Sequence, residues 1–154
     1  MQCEHADFNK HYHNLDINIV CDGLDSPANV GAVLRLADAY GVSKVFFLGG
    51  VDQLTSRAKS VSRGVQKYVN YEFLSNFEFD NRDWFCLELT SNSQPLSEFT
   101  IESKRIGLII GNENSGVQEK YLNKFKSYHI KMYGNNSSMN VSNALSVALY
   151  ELTR

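Results

Sequence analysis

The stretch between Asn18 and Gly50 constrains the fold more than any other. Asn18-Ile-Val-Cys-Asp-Gly23 reads as a short buried strand, and Ser26-Pro27 suits the N-cap and first position of a helix that runs to about Tyr40. Gly41 stops that helix, and Lys44-Val-Phe-Phe-Leu-Gly-Gly50 supplies a second strand rich in residues that favour a pleated interior. A β-α-β unit of this kind makes a right-handed crossover between parallel strands. The expected architecture is therefore a single-domain α/β fold, a mostly parallel sheet with helices on both faces.

The remaining pattern agrees. Tyr68–Leu74 alternates as a strand does, Trp84–Thr90 and Arg105–Gly111 are firmer strands, and Leu96–Phe99 is a short turn of helix. Val117–Phe125 reads as a short amphipathic helix, Tyr128–Met132 as a last strand and Asn140–Arg154 as a final helix. In that helix Val141, Ala144, Leu145, Ala148, Leu149 and Leu152 form one apolar stripe that must be packed down. The helical and strand periods weaken between Leu54 and Tyr71. Residues 1–17, polar with scattered aromatics, read as an N-terminal arm ahead of a domain over 18–154.

Charge and cysteines narrow the class less. Fifteen basic against seventeen acidic residues give a net charge of −2, which neither demands nor forbids a polyanionic partner. Cys3, Cys21 and Cys86 are odd in number and lack CxxC pairing, which suits a reducing compartment. With no apolar leader at the N-terminus and no run near the roughly 18 apolar residues of a membrane span, a cytoplasmic protein that uses no membrane is expected. His11 and His13 alternate without a third ligand at metal spacing, and His5 and His129 read as ordinary residues, so no metal is expected.

Three polar segments at the ends of apolar runs carry the chemistry: Asn29–Arg35, Gly111–Gly116 and Ser138–Ser142. Ligand sites in open α/β sheets form where strands stop, and one rim could gather all three. In the first, Arg35 lies one turn beyond Gly31. It either pairs with Asp38 on a solvated stripe, or Gly31 leaves open space for a ligand to approach the guanidinium. The second is neither GxGxxG nor a P-loop, and Glu113 would oppose a pyrophosphate. It is either a polar cradle or a strand-to-helix turn that Ser115 helps to cap. In the third, Ser137, Ser138, Asn140, Ser142 and Asn143 exceed what helix capping needs and would suit a ribose.

Pro27-Ala-Asn-Val-Gly-Ala-Val-Leu-Arg35, Ile110-Gly-Asn-Glu-Asn-Ser-Gly-Val117 and Ser138-Met-Asn-Val-Ser-Asn-Ala-Leu-Ser-Val-Ala-Leu-Tyr-Glu151 resemble, in order and spacing, the three motifs of the SpoU/TrmH branch of the SPOUT RNA methyltransferases. The similarity spans roughly Asn18 to Arg154. It implies a C-terminal trefoil knot, a homodimer, and S-adenosylmethionine bound in the knot. By the same resemblance the cofactor lies against Leu48 and Gly49, against Gly111, Asn112, Glu113 and Gly116, and against Ile130, Met132, Ser138, Met139 and Asn140. Arg35 is then assigned to ribose 2′-O-methylation, with Asn29, Glu113, Ser138 and Asn140 shaping the site. Acting as a fixed cation beside a developing alkoxide asks less of a guanidinium than acting as a base, whereas the resemblance favours the base, helped by an RNA phosphate.

The implied substrate is RNA, tRNA in first place and rRNA as the alternative, and not DNA. Between Asp52 and Glu72 the chain carries Arg57, Lys59, Arg63 and Lys67 with no acidic residue, and Tyr68 is available for stacking. Lys120, Lys124, Lys126 and Lys131 could extend that surface, and a solvated loop is the bland alternative. Two rival functions stand beside the enzyme. One is a non-catalytic RNA-binding module of the same fold; the other is a doubly wound nucleotide-binding or signalling domain that would draw on Asp22 and Asp25.

Overall fold

Among the described residues, seven strands, all paired in parallel, form one sheet in the order β3-β2-β1-β6-β4-β7-β5. The computed structural model describes residues 9–154, so Cys3, His5 and the first half of the expected arm lie outside the described residues. The strands are β1 (Asp16–Asp22), β2 (Lys44–Leu48), β3 (Tyr71–Leu74), β4 (Asp83–Leu87), β5 (Gln94–Pro95), β6 (Arg105–Ile110) and β7 (Lys126–His129). The helices are α1 (Pro27–Ala39), α2 (Ser56–Ser62), α3 (Glu119–Leu122) and α4 (Val141–Thr153). From β1 the chain winds outward through β2 and β3, then returns to build β4 on the other side, and β6 later enters between β1 and β4. The reversal of winding at β1 creates a switch point at the carboxyl ends of the strands.

Local chemistry explains the first unit as read. The Ser26 side chain accepts from the Asn29 amide, Pro27 occupies the first helical position, and Gly41 follows the helix with φ +61°. Strand limits moved where a neighbour decides them. β7 pairs Lys126, Ser127 and Tyr128 with Phe85, Cys86 and Leu87, so it starts two residues earlier than its apolar run and ends at His129. β4 likewise stops at Leu87, three residues short of Thr90, and β1 takes in Asp16 and Ile17 from the expected arm. The helix read over Val117–Phe125 is four residues long.

The two faces of the sheet are covered differently. On one, Val30, Val33, Leu34 and Ala37 of α1, Ala58 of α2 and Leu145, Ala148, Leu149 and Leu152 of α4 bury the main core. On the other, only the short α3 arrives, through Tyr121, and Phe77, Phe79 and Phe125 gather on Trp84. The expectation of helices on both faces thus holds fully for one face, while an aromatic segment closes most of the other. Cys21 and Cys86 are buried and free, and burial, reinforced by Asp22 and Glu88, pushes the Cys86 thiol up to about 12. Among the described residues no helix is long and apolar enough to cross a membrane.

Gly31 does not open space beside Arg35. A Cβ there would lie 2.4 Å from the Ala58 carbonyl oxygen and 2.8 Å from the Val61 Cβ, so its role is the close approach of α1 to α2. Helix α2 itself escaped the sequence pattern because its periodicity is short; the Thr55 side chain caps it by accepting from the Ala58 amide. We expect Gly31→Ala to lower stability by about 1–3 kcal/mol through overpacking, visible as a reduced melting temperature.

At the amino ends of β1, β6 and β4, away from the switch point, the buried Arg82 side chain donates to the carbonyls of Asp16 (3.1 Å) and Ile106 (3.4 Å) and to the Asp80 carboxylate (3.0 Å). Arg105 also reaches Asp80, at 2.7 Å. The Arg82 hydrogen bonds hold Asp80 below the usual carboxylate range; for Asp16, burial pushes upward but Ser43, Arg82 and Arg105 outweigh it. Lowered in the folded state, these groups stabilise the fold at neutral pH and lose that contribution as pH falls through their folded values. Arg82→Met is expected to cost about 1–3 kcal/mol at neutral pH by leaving carbonyls unpaired. Urea denaturation across pH should show a shallower acid limb for the variant.

Candidate functional site

The three polar segments meet. Glu113, in the loop after β6, accepts from the amides of Asp25 and Ser26 (both 3.1 Å) ahead of α1 and from the Asn29 side-chain amide at 2.8 Å. The Asn29 carbonyl oxygen in turn accepts from the Asn140 side chain at 3.1 Å, and the Asn140 oxygen accepts from the Ser142 amide at 2.8 Å, capping α4. One hydrogen-bonded line therefore joins segments 84 and 111 residues apart. Burial pushes Glu113 upward, but the Asn29 side chain and the amides of Asp25 and Ser26 prevail and hold it below its ordinary value.

The loop between β6 and α3 closes on itself, with Asn112 and Gly116 exchanging backbone hydrogen bonds of 3.0 Å. A Cβ on Gly111 would lie 2.1 Å from the Gly116 carbonyl carbon, so the turn requires glycine there, and Gly116 has φ +70°. The Asn112 side chain donates to the Gly23 carbonyl at 2.6 Å, locking the loop to the end of β1. The buried Asp22 carboxylate accepts from the amide and side chain of Gln118. Ser115 does not cap α3, whose N-cap is Gln118.

These elements wall a cleft of about 500 Å³ at the carboxyl ends of β4, β6 and β7. Of the expected residues, Gly111, Asn112, Glu113, Gly116, Ile130, Met132, Ser138, Met139 and Asn140 line it, and Asn29 is bonded to two of them. Leu48 and Gly49 do not. Leu48 ends β2 and Gly49 follows it, and β1 separates β2 from β6, so the loop after Leu48 stands beyond the cleft. The wall assigned to them is made by Leu87, Glu88 and Leu89 after β4. Reading the strand through to Thr90 hid that turn, and the acidic Glu88 interrupting the apolar run was the available signal. Ile110, Asn114, His129, Asn136, Ser137, Val141 and Ala144 complete the lining.

Arg35 lies elsewhere in the same chain. Six residues beyond Asn29, it is about 9 Å further along α1 and about 120° around it. Its side chain is exposed, outside the cleft lining, and among the described residues no carboxylate pairs with it, Asp38 included. Arg57 and Lys59 on α2, with Arg63 and Lys67 just after it, are all exposed, as is Tyr68 at 82%. Lys120 and Lys124 do not continue that surface. Lys120 is on α3 and Lys124 follows it, on the opposite, aromatic face, where the Lys124 ammonium sits 5.0 Å from the Phe79 ring centre. His13 has a structural use: its Nδ1 accepts from the Leu15 amide and its Nε2 meets the Tyr40 carbonyl at 2.7 Å.

Residues 16–150 match the model of the SpoU rRNA methylase family. The chain belongs to that family. A Staphylococcus saprophyticus protein assigned to the TrmH family of tRNA/rRNA methyltransferases is 30% identical over 98% of this chain and 66% of its own length. The tRNA (guanosine(18)-2′-O)-methyltransferase of Aquifex aeolicus is 27% identical over 90% of this chain and 69% of its own. The crystal structure of an A. aeolicus TrmH/SpoU tRNA-modifying enzyme superposes with a TM-score of 0.78 at 26% identity, covering 88% of this chain and 73% of that one. The chain thus spans just under two thirds of the staphylococcal relative.

The relay predicts a pH-dependent defect. Asn29→Asp keeps the acceptor for Asn140 but turns the donor toward Glu113 into a like charge, which should cost about 2–3 kcal/mol at pH 7. Protonation relieves the repulsion, so the stability gap to the wild type, measured by chemical denaturation, should narrow as pH falls through the carboxylate range.

Proposed function

We propose that the protein is an S-adenosylmethionine-dependent RNA methyltransferase acting on a ribose 2′-hydroxyl, with tRNA as the first substrate to test and rRNA as the second. The observation that carries this reading is the joining of all three family motifs around one cleft by the Glu113–Asn29–Asn140 line. The lining suits the cofactor: Leu87, Leu89, Ile110, Ile130 and Met132 offer apolar walls for a flat ring, and Glu88 and Glu113 provide negative charge with no Lys or Arg among the lining residues. Such a cleft favours a cationic ligand over the anionic phosphates of a dinucleotide. Bound there, S-adenosylmethionine supplies a methyl group on a sulfonium, already activated for displacement by a ribose oxygen.

The chain's own part is to orient and to stabilise charge. Ser138 and Asn140 stand at the cleft with hydrogen-bonding groups suited to a ribose. Arg35, exposed and outside the lining of its own chain's cleft, serves the cleft of a second copy as a fixed cation beside the developing alkoxide. That assignment calls for a homodimer, and exposed Val147 and Tyr150 on α4 offer an apolar contact face for it. Exposed Arg57, Lys59, Arg63 and Lys67 would take RNA phosphates, with Tyr68 for base stacking. The C-terminal segment is read as threaded into a trefoil knot, and the cellular setting as cytoplasmic.

The decisive experiment incubates the protein with methyl-labelled cofactor and separate pools of unmodified tRNA and rRNA, then maps the label. Transfer to a ribose 2′-oxygen is expected, and Arg35→Ala should lower turnover by about 10² or more with the cofactor Kd, from calorimetry, essentially unchanged. Tight binding of NAD or ATP with none of S-adenosylmethionine would overturn the proposal. Sedimentation should give a dimer at micromolar concentration, and a monomer under those conditions would rule out Arg35 acting across subunits.

A further inference from the structure

Glu88 lines the cleft, yet neither a family motif nor the hydrogen-bonded line accounts for it. It follows the last residue of β4, and its carboxylate reaches the loop after β6. Oε1 accepts from the Leu89 amide at 3.1 Å and Oε2 from the Val117 amide at 3.0 Å. A Cβ on Gly116 would stand 2.5 Å from Oε2, so the loop leaves this carboxylate its place by having glycine there. Each oxygen takes one of these donors, and a carboxylate oxygen has capacity for a second.

The other carboxylate in the lining is differently placed. Glu113 takes three donors and faces the amino end of α1, whose dipole and free amides compensate its charge. Glu88 has only two neutral amides for company; among the described residues no Lys, Arg or His pairs with it. His129, the other titratable side chain in the lining among the described residues besides the two carboxylates, is held at its Nδ1 by Ser93 at 2.9 Å. The charge of Glu88 therefore acts on whatever occupies the cleft.

We propose that Glu88 sets the charge selectivity of the cleft, holding the cationic methyl donor more firmly than the neutral thioether it becomes after transfer. The inference rests on the reading that the cleft binds S-adenosylmethionine. Donor and product differ by one methyl group and one positive charge at sulfur, so a fixed anion is the simplest device by which the cleft can tell them apart. The outcome is a bias toward loading the donor and releasing the product.

Calorimetry of the full chain with three ligands tests this: S-adenosylmethionine, S-adenosylhomocysteine, and sinefungin, in which an ammonium group replaces the sulfonium. Glu88→Gln and Glu88→Ala should each shift the donor-to-product affinity ratio toward the product by roughly tenfold, with sinefungin following the donor. Glu88→Asp, which keeps the charge, should preserve the ratio even if all three ligands weaken. Equal weakening of all three in the Gln and Ala variants would mean that Glu88 only props the loop, and would overturn the proposal. An unchanged ratio in either variant would do the same, whereas a wild-type protein that binds none of the three refutes the cofactor reading itself.

Discussion

The hydrogen-bonded line from Glu113 through Asn29 to Asn140 is the constraint on which the site depends. Its two outer members satisfy backbone needs as well as side-chain ones. Glu113 takes the amides of Asp25 and Ser26 ahead of α1, and Asn140 caps α4. The start of the first helix, the loop after the central strand and the start of the last helix are thereby set relative to one another by the same three side chains. A loop-built cleft becomes as well defined as the helix ends it borrows.

Carboxylates do much of this positioning. Asp22 accepts from Gln118, Glu88 from Val117, and Glu113 from the amides before α1, so the loop between β6 and α3 is gripped from β1, from β4 and from α1. Backbone amides exposed by a tight turn need acceptors, and an ionised oxygen makes a stronger one than a neutral carbonyl. Two of these groups, Glu88 and Glu113, also line the cleft and leave it anionic, which joins the mechanical requirement of the loop to the electrostatic character of the site.

Stability is anchored at the opposite end of the strands. Arg82 there ties β1, β6 and the turn before β4 through two carbonyls and Asp80. The main core beneath α1, α2 and α4 and the aromatic cluster around Trp84 lie on the two faces of the sheet. The cleft edge is thus free to carry exposed polar segments, such as residues 131–140, all of them exposed, without weakening the core.

The β1-α1-β2 unit, the strands β3, β4, β6 and β7, the last two helices, the cap at Ser26, the stop at Gly41 and the three polar segments were legible in the chain because they follow from local patterning and from the hydrogen-bonding needs of helix ends; the short α2 and the two-residue β5 were not. Which strand ends become neighbours was not. Periodicity reports that a strand is buried but not what it pairs with: the resemblance sets Leu48 and Gly49 against the cofactor, whereas β1 stands between β2 and β6, and Leu87–Leu89 stayed hidden inside an apolar run. Gly31 looked like an opening because the helix pressed against it, α2, has too short a pattern to announce itself. The placement of Arg35 on the far side of α1 likewise depends on how that helix is rolled against the core. Local sequence fixes which groups are available; packing among distant segments fixes which of them share a site.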